Sequence, residues 1–290
     1  MHGAASPVAR ECSDLDQFLE ATRNLCQSDP GQNTRVIANS QLASATRAKG
    51  GALTQLRMVI VEQSAILRGA AITDALGGLG VSDMPTESAA ALGHFLQIHP
   101  DFANGLAGPT AVVQAVLLHA QFSYLIKFNL MLHKLITTPN RGRNVCATRI
   151  ATSSDQSLLV DWITAFLQEI DDLGPSSDLT TQRVKDGIAN QDFLVAIDKN
   201  QQPIAVAKAT QLAFDCARIG PVYTAPPYRA TGAAQAIVAD ASAYAIKRGS
   251  SRVFLYTDKT NPASNTAYHR VGYRFISDHQ QVDFKHLAQG

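Results

Sequence analysis

The sequence predicts an α/β protein, α+β mixed, whose elements run in two successive halves. Three observations carry that reading. Strand-length apolar runs such as Phe193–Ile197 alternate with longer stretches whose apolar residues recur at helical spacing. Residues 138–144, read as TPNRGRN, are polar and breaker-rich, and after them the order of elements starts again. With 290 residues and 46% hydrophobic content, the chain can bury a sizeable core and favours two domains over one.

The first half begins with a flexible N-terminal arm, residues 1–12. Ser13 and Asp14 then cap a helix whose Leu15, Phe18, Leu19 and Leu25 share a face, and Val36–Ala48 forms a second helix. Leu56–Glu62 and Ile66–Thr73 read as a hairpin, and Leu79–Ser82 as a third strand. Helices follow over Thr86–Gln97 and Thr110–Phe122, and Phe128–Ile136 closes the half as a strand. These boundaries give a domain over 13–138 and a linker over 139–147.

The second half, 148–290, opens with a helix over Asp155–Glu169, striped by Leu158, Leu159, Trp162, Ile163 and Phe166. Strands Phe193–Ile197 and Pro203–Phe214 flank the turn at 198–202. The chain then reaches the stretch it is organised around, 216–237, read as CARIGPVYTAPPYRATGAAQAI. Cys216, Ile219, Val222 and Tyr223 favour a strand, and Pro226 and Pro227 end it because neither can donate to a ladder. A helix runs on to about Arg248, and Arg252–Thr257 is the next strand.

Composition excludes several classes of function. A net charge of +1 with scattered basic residues argues against a nucleic-acid partner. Cys12, Cys26, Cys146 and Cys216 show no zinc spacing and no disulfide framework, so no metal is expected. The N-terminus lacks an apolar signal core, and no apolar run approaches the roughly 20 residues of a membrane span. A cytoplasmic protein, monomer or homodimer, with no membrane partner is the expectation.

A strand delivering its chain into a loop at a helix N-terminus leaves backbone N–H groups unpaired where the helix dipole is positive, which makes an anion site. Gly232 and the small Ala230, Ala233 and Ala234 let a phosphate approach the main chain, and Arg229 adds a charge-assisted contact. At the corresponding place in the first half the chain reads DMPTESA, 83–89, with no arginine, no glycine and two carboxylates that repel an anion. After Thr257, Asn261 and Pro262 favour a helix start, Asn265 and Tyr268 lie three apart on it, and Gly272 ends it.

The spacing Arg-x-x-Gly-x-Ala at 229–234, preceded by GPVYT, resembles the coenzyme-A loop of the GNAT acetyltransferase superfamily. Asn261, Tyr268, Gly272 and Tyr273 are similar to that family's second signature and follow the first at the expected distance. The resemblance covers Thr148 to about Phe284, with Tyr273–Ser277 and Gln281–Phe284 as the closing strands; over the first half it is topological. It implies two GNAT-like acyl-CoA N-acyltransferase domains, each a mixed, mostly antiparallel sheet flanked by helices, the N-terminal one degenerate.

The resemblance further implies acetyl-CoA as cosubstrate. Its pantetheine would pair with main chain at Val222, Tyr223 and Thr224, and its pyrophosphate would sit on Arg229, Ala230, Thr231, Gly232, Ala233 and Ala234. A primary amine of a small-molecule or peptide acceptor would attack the thioester directly in a ternary complex, and a backbone N–H near Val222 would steady the oxyanion. Tyr268 would protonate the thiolate; a phenol near ~10 carries its proton at neutral pH. Asn261 and Asn265 would bond the coenzyme arm or hold the helix start. Glu169, Asp171 and Asp172 stand near the acceptor as candidate bases, with a solvated helix end as the competing account. A non-catalytic acetyl-CoA sensor or interaction protein is the alternative.

Overall fold

The computed structural model describes residues 5–143, 146–170 and 176–285. In chain order the elements are β1 (Val8–Glu11), α1 (Leu15–Ser28), α2 (Thr34–Ala48), β2 (Met58–Gln63), β3 (Ile66–Thr73), β4 (Gly78–Val81) and α3 (Thr86–Ile98). Next come β5 (Gly105–Pro109), α4 (Thr110–Ala120), β6 (Tyr124–Leu135), β7 (Ala147–Ile150), α5 (Gln156–Glu169), α6 (Ser177–Ala189) and β8 (Phe193–Ile197). The chain closes with β9 (Pro203–Leu212), β10 (Cys216–Thr224), α7 (Ala233–Lys247), β11 (Arg252–Asp258), α8 (Pro262–Val271) and β12 (Tyr273–Phe284). The fold is the expected mixed α/β type, with mostly antiparallel pairing.

Contacts divide the chain into two compact units, residues 1–131 with 277–290, and residues 132–276. The expected division fell instead within 138–148. Two strands account for the difference. β6 gives 124–131 to the first unit and 132–135 to the second, and β12 gives 277–284 to the first and 273–276 to the second. β12 is one strand of 12 residues where the sequence suggested two, because His279 and Gln280 in its polar middle already pair with β5.

In the first unit the strand order is β1-β2-β3-β4-β5-β12-β6. β1 lies within the expected flexible arm; it pairs antiparallel with β2, Val8 opposite Glu62 through Glu11 opposite Val59, so strand pairing fixes those residues. Asp14 starts α1 by accepting from the Gln17 N–H at 2.9 Å. The core sets Val59, Ala71, Leu79 and Val81 against Leu92 and Leu96 of α3 and Val112 and Val116 of α4.

β4 and β5 are parallel, with Gly78 to Gly80 opposite Gly105 to Ala107. They stay close beyond that register, since a Cβ on Gly108 would stand 2.5 Å from a Val81 methyl and 2.8 Å from its carbonyl oxygen. β5 escapes sequence reading because its glycines and proline usually mark a turn, whereas here the strand is wholly buried and a Cβ on Gly105 or Gly108 would meet the backbone of the neighbouring strands.

The second unit orders its strands β6-β11-β10-β9-β8-β7. α7 packs its Ala236, Ile237, Ala241 and Ala245 on Ala205, Ala207, Ala217, Val253 and Leu255, and Tyr273 and Tyr268 complete that core. On a second core Leu159 and Val184 of α5 and α6 meet Phe193, Val195, Val206 and Tyr223. The sequence missed α6, whose buried face is only Thr180, Val184 and Gly187. No helix among the described residues is long and apolar enough to cross a membrane.

Gly93 of α3 lies close against α4, for a Cβ there would stand 2.5 Å from the Val116 carbonyl oxygen. Backbone cannot yield as a side chain does. Gly93→Ala is therefore expected to cost about 1–3 kcal/mol by overpacking, read as a lowered midpoint in urea unfolding with an unchanged slope.

Candidate functional site

Two neighbouring strands part company in the second unit. β10 runs parallel to β11 from Cys216 opposite Arg252 to Ile219 opposite Leu255, and the register ends there. On its other edge β10 pairs antiparallel with β9, with a register shift between Ile219 and Val222. Gly220 (φ +138°) and Pro221, joined by a cis peptide, occupy that bulge. Pro221 has no N–H to donate, and a glycine at positive φ turns the strand, so the ladder toward β11 stops. Val222, Tyr223 and Thr224 continue along β9, opposite Ala207, Val206 and Ala205.

Beyond Thr224 the chain makes one 3-10 turn at Pro226–Tyr228 and enters the loop that precedes α7. Ala230 (φ +61°) and Gly232 (φ +88°) both adopt the left-handed conformation, which turns successive amides to one side as in an anion-binding nest. Gly232 is the N-cap of α7 and supplies no side-chain acceptor. Among the described residues, the N–H groups of Gly232, Ala233, Ala234 and Gln235 donate to no protein group. Arg229 through Gly232 are exposed, so the bend is open to solvent.

Arg229 is placed in this loop but engaged. Its Nη2 donates to Glu169 Oε1 at 2.5 Å, its Nε donates to the Thr224 carbonyl at 3.1 Å, and its guanidinium lies 5.5 Å from the Tyr223 ring centroid. The Glu169 carboxylate raises the arginine above its ordinary pKa. Glu169 is thus next to the loop, whereas Asp171 and Asp172 lie outside the described residues.

The far wall comes from β11 and α8. Asn261 caps α8, its Oδ1 accepting from the Ser264 N–H at 3.0 Å, so the capping account of this residue holds in the free protein. Asn265 donates from Nδ2 to the Asp258 carbonyl at 3.4 Å. Tyr268 is 8% exposed in the core beneath α7, and burial pushes its phenol up to about 12 against an opposing hydrogen bond with Ser264. Cys216 is fully buried, its thiol pushed up to about 11 by burial, which suits a core filler and not a nucleophile.

Three buried polar atoms here have no hydrogen-bond partner among the described residues: Thr224 Oγ1 at the end of β10, Thr257 Oγ1 on β11 two residues beyond its last partner on β10, and Asn265 Oδ1 on α8. Native structures leave few such groups. Thr224 and Thr257 both lie past the last β10–β11 register pair, and Asn265 lies on α8, the helix that follows β11. Nothing in the sequence singles out Thr257, because a threonine in a strand reads as a β-former. Two concavities lie elsewhere in this unit, one lined by Arg141, Arg149 and Asp240, the other by Leu135, Thr137 and Ile246. No group of three or more metal-ligating side chains occurs among the described residues.

Residues 158–273 match the model of the acetyltransferase (GNAT) family. Among solved structures, an acetyltransferase of the GNAT family from Colwellia psychrerythraea is similar over 95% of this chain and 98% of its own, with 15% identity and a TM-score of 0.60. A GCN5-related N-acetyltransferase from Sphaerobacter thermophilus is similar over 96% and 95%, with 14% identity and a TM-score of 0.64. A tandem GNAT protein from the clavulanic acid biosynthesis pathway is similar over 81% and 84%, with 10% identity and a TM-score of 0.51. These likenesses establish the fold. No curated protein matches by sequence.

Two substitutions test the geometry in the free protein. Thr257→Val removes an unpaired buried hydroxyl while keeping the shape, and is expected to stabilise by about 1 kcal/mol, seen as a melting point a few degrees higher. Gly232→Ala forces a Cβ into the left-handed region and should destabilise by about 1–2 kcal/mol in the same measurement.

Proposed function

With a domain of the acetyltransferase (GNAT) family at residues 158–273 as the premise, we propose that this protein is an N-acetyltransferase. It moves an acetyl group from acetyl-CoA to a primary amine of a small-molecule or peptide acceptor, by direct attack in a ternary complex. The observation that carries the reading is the parting of β10 and β11 beyond Ile219 and Leu255, which opens onto a glycine-capped helix start and is bordered by three unpaired polar atoms.

The coenzyme supplies a thioester whose carbonyl carbon an amine can attack. The amides of Gly232, Ala233 and Ala234, with Ala230, Thr231 and Arg229 around them, take the diphosphate at the positive end of α7. Main chain at Val222, Tyr223 and Thr224, freed from β11, holds the pantetheine arm, and Thr224, Thr257 and Asn265 turn their unpaired oxygens to its amides. A backbone N–H near Val222 steadies the oxygen that gains charge as the amine attacks. Asn261 serves by fixing the start of α8, and so the placement of Asn265 and Tyr268.

Tyr268 delivers the proton to the departing sulfur. A phenol at about 12 is a weaker acid than one in water, but it is fully protonated at neutral pH. A thiolate leaving into the same low-dielectric surroundings has its own pKa raised, which narrows the mismatch. The acid therefore acts as the charge develops. That same burial favours a second reading, a coenzyme-binding sensor without turnover, in which Tyr268 is only a core aromatic.

Isothermal titration with acetyl-CoA tests the shared premise, and absence of binding would refute both readings. Thiol release with a panel of amines separates them, because the sensor binds and gives none. Under the enzyme reading Tyr268→Phe should lower kcat by about 10²–10³-fold while leaving the dissociation constant for acetyl-CoA within about threefold.

A further inference from the structure

Glu169 sits in the last turn of α5, at the helix end where the dipole disfavours a carboxylate, and no basic residue shares that turn. Its partner comes from 60 residues further along the chain: Arg229 donates to it from Nη2 at 2.5 Å. Both side chains are about half exposed, 45% and 46%, so the pair is open to exchange. The arginine's other ties, to the Thr224 carbonyl and across the Tyr223 ring, hold the guanidinium at the loop whichever anion it meets.

We infer that Glu169 is an affinity-setting residue that stands in for the coenzyme's diphosphate on Arg229, and that the incoming diphosphate displaces it. This rests on the reading of 229–234 as the diphosphate loop. A carboxylate on a guanidinium and a diphosphate on the same guanidinium compete for one set of donors. Glu169 therefore weakens binding of ligands that carry a diphosphate and leaves phosphate-free analogues alone.

The test compares wild type with Glu169→Gln by titration with acetyl-CoA and with S-acetylpantetheine, which lacks the diphosphate, at low and at high salt. The expected result is that the variant binds acetyl-CoA about three- to tenfold more tightly at low salt. The advantage should shrink at high salt, because exposed charges are screened, and S-acetylpantetheine should bind both proteins equally. Equal or weaker binding of acetyl-CoA by the variant, with wild type still binding, would overturn the competitor role and leave the coenzyme reading standing. An equal gain for both ligands would also overturn it, since the effect would not pass through the diphosphate. If neither protein binds acetyl-CoA, the coenzyme reading and this inference fall together.

Discussion

The candidate site of the second unit depends on the loss of one ladder. Parallel strands seldom separate, because each exposes main-chain donors and acceptors when they do. Here the separation is forced at Gly220 and Pro221, where the strand bulges and one donor is missing by chemistry. The next segments inherit the gap: Val222 to Thr224 keep only their β9 partner, and the chain must turn through two left-handed residues to start α7. Past Ile219 the β10–β11 register has ended, and the chain leads to the uncapped amides at the start of α7.

The first unit shows the same order of elements without the gap. Gly108 brings β5 against Val81 where a parting would begin, and Gly93 lets α3 close on α4. The loop before α3 carries Asp83, whose carboxyl is raised above the usual range by burial and by nearby Asp29. Small residues serve opposite ends in the two units. In the first they let backbones meet, and in the second Gly232 lets a helix begin uncovered.

Electrostatics in the second unit are built from neutral parts as much as from charges. The amides at α7 and the buried hydroxyls act over short range and are little affected by salt. The exposed Arg229 and Glu169 pair is the tunable component, because water and ions screen it. Tyr268, in contrast, is governed by burial, which keeps its proton in place and restrains the phenol from ionising.

Strong local signals in the chain were enough to settle the β10 strand ending before Pro226, the glycine at the start of α7, the Asn261 cap and Pro262 of α8, and the mixed α/β class. These are decided within a few residues, by missing donors, permitted dihedrals and side-chain caps. The same signals could not show β5, whose glycines look like turns, or α6, whose buried face is slight, or Thr257 as an unpaired hydroxyl. Nor could they show that Glu169 meets Arg229, that Val8–Glu11 pairs as a strand, or that β12 serves as one strand with Gln281 to Asp283 beside β5. Those depend on which distant segment lies alongside. Pairing partners and burial are properties of the folded chain, and only the tertiary structure fixes them.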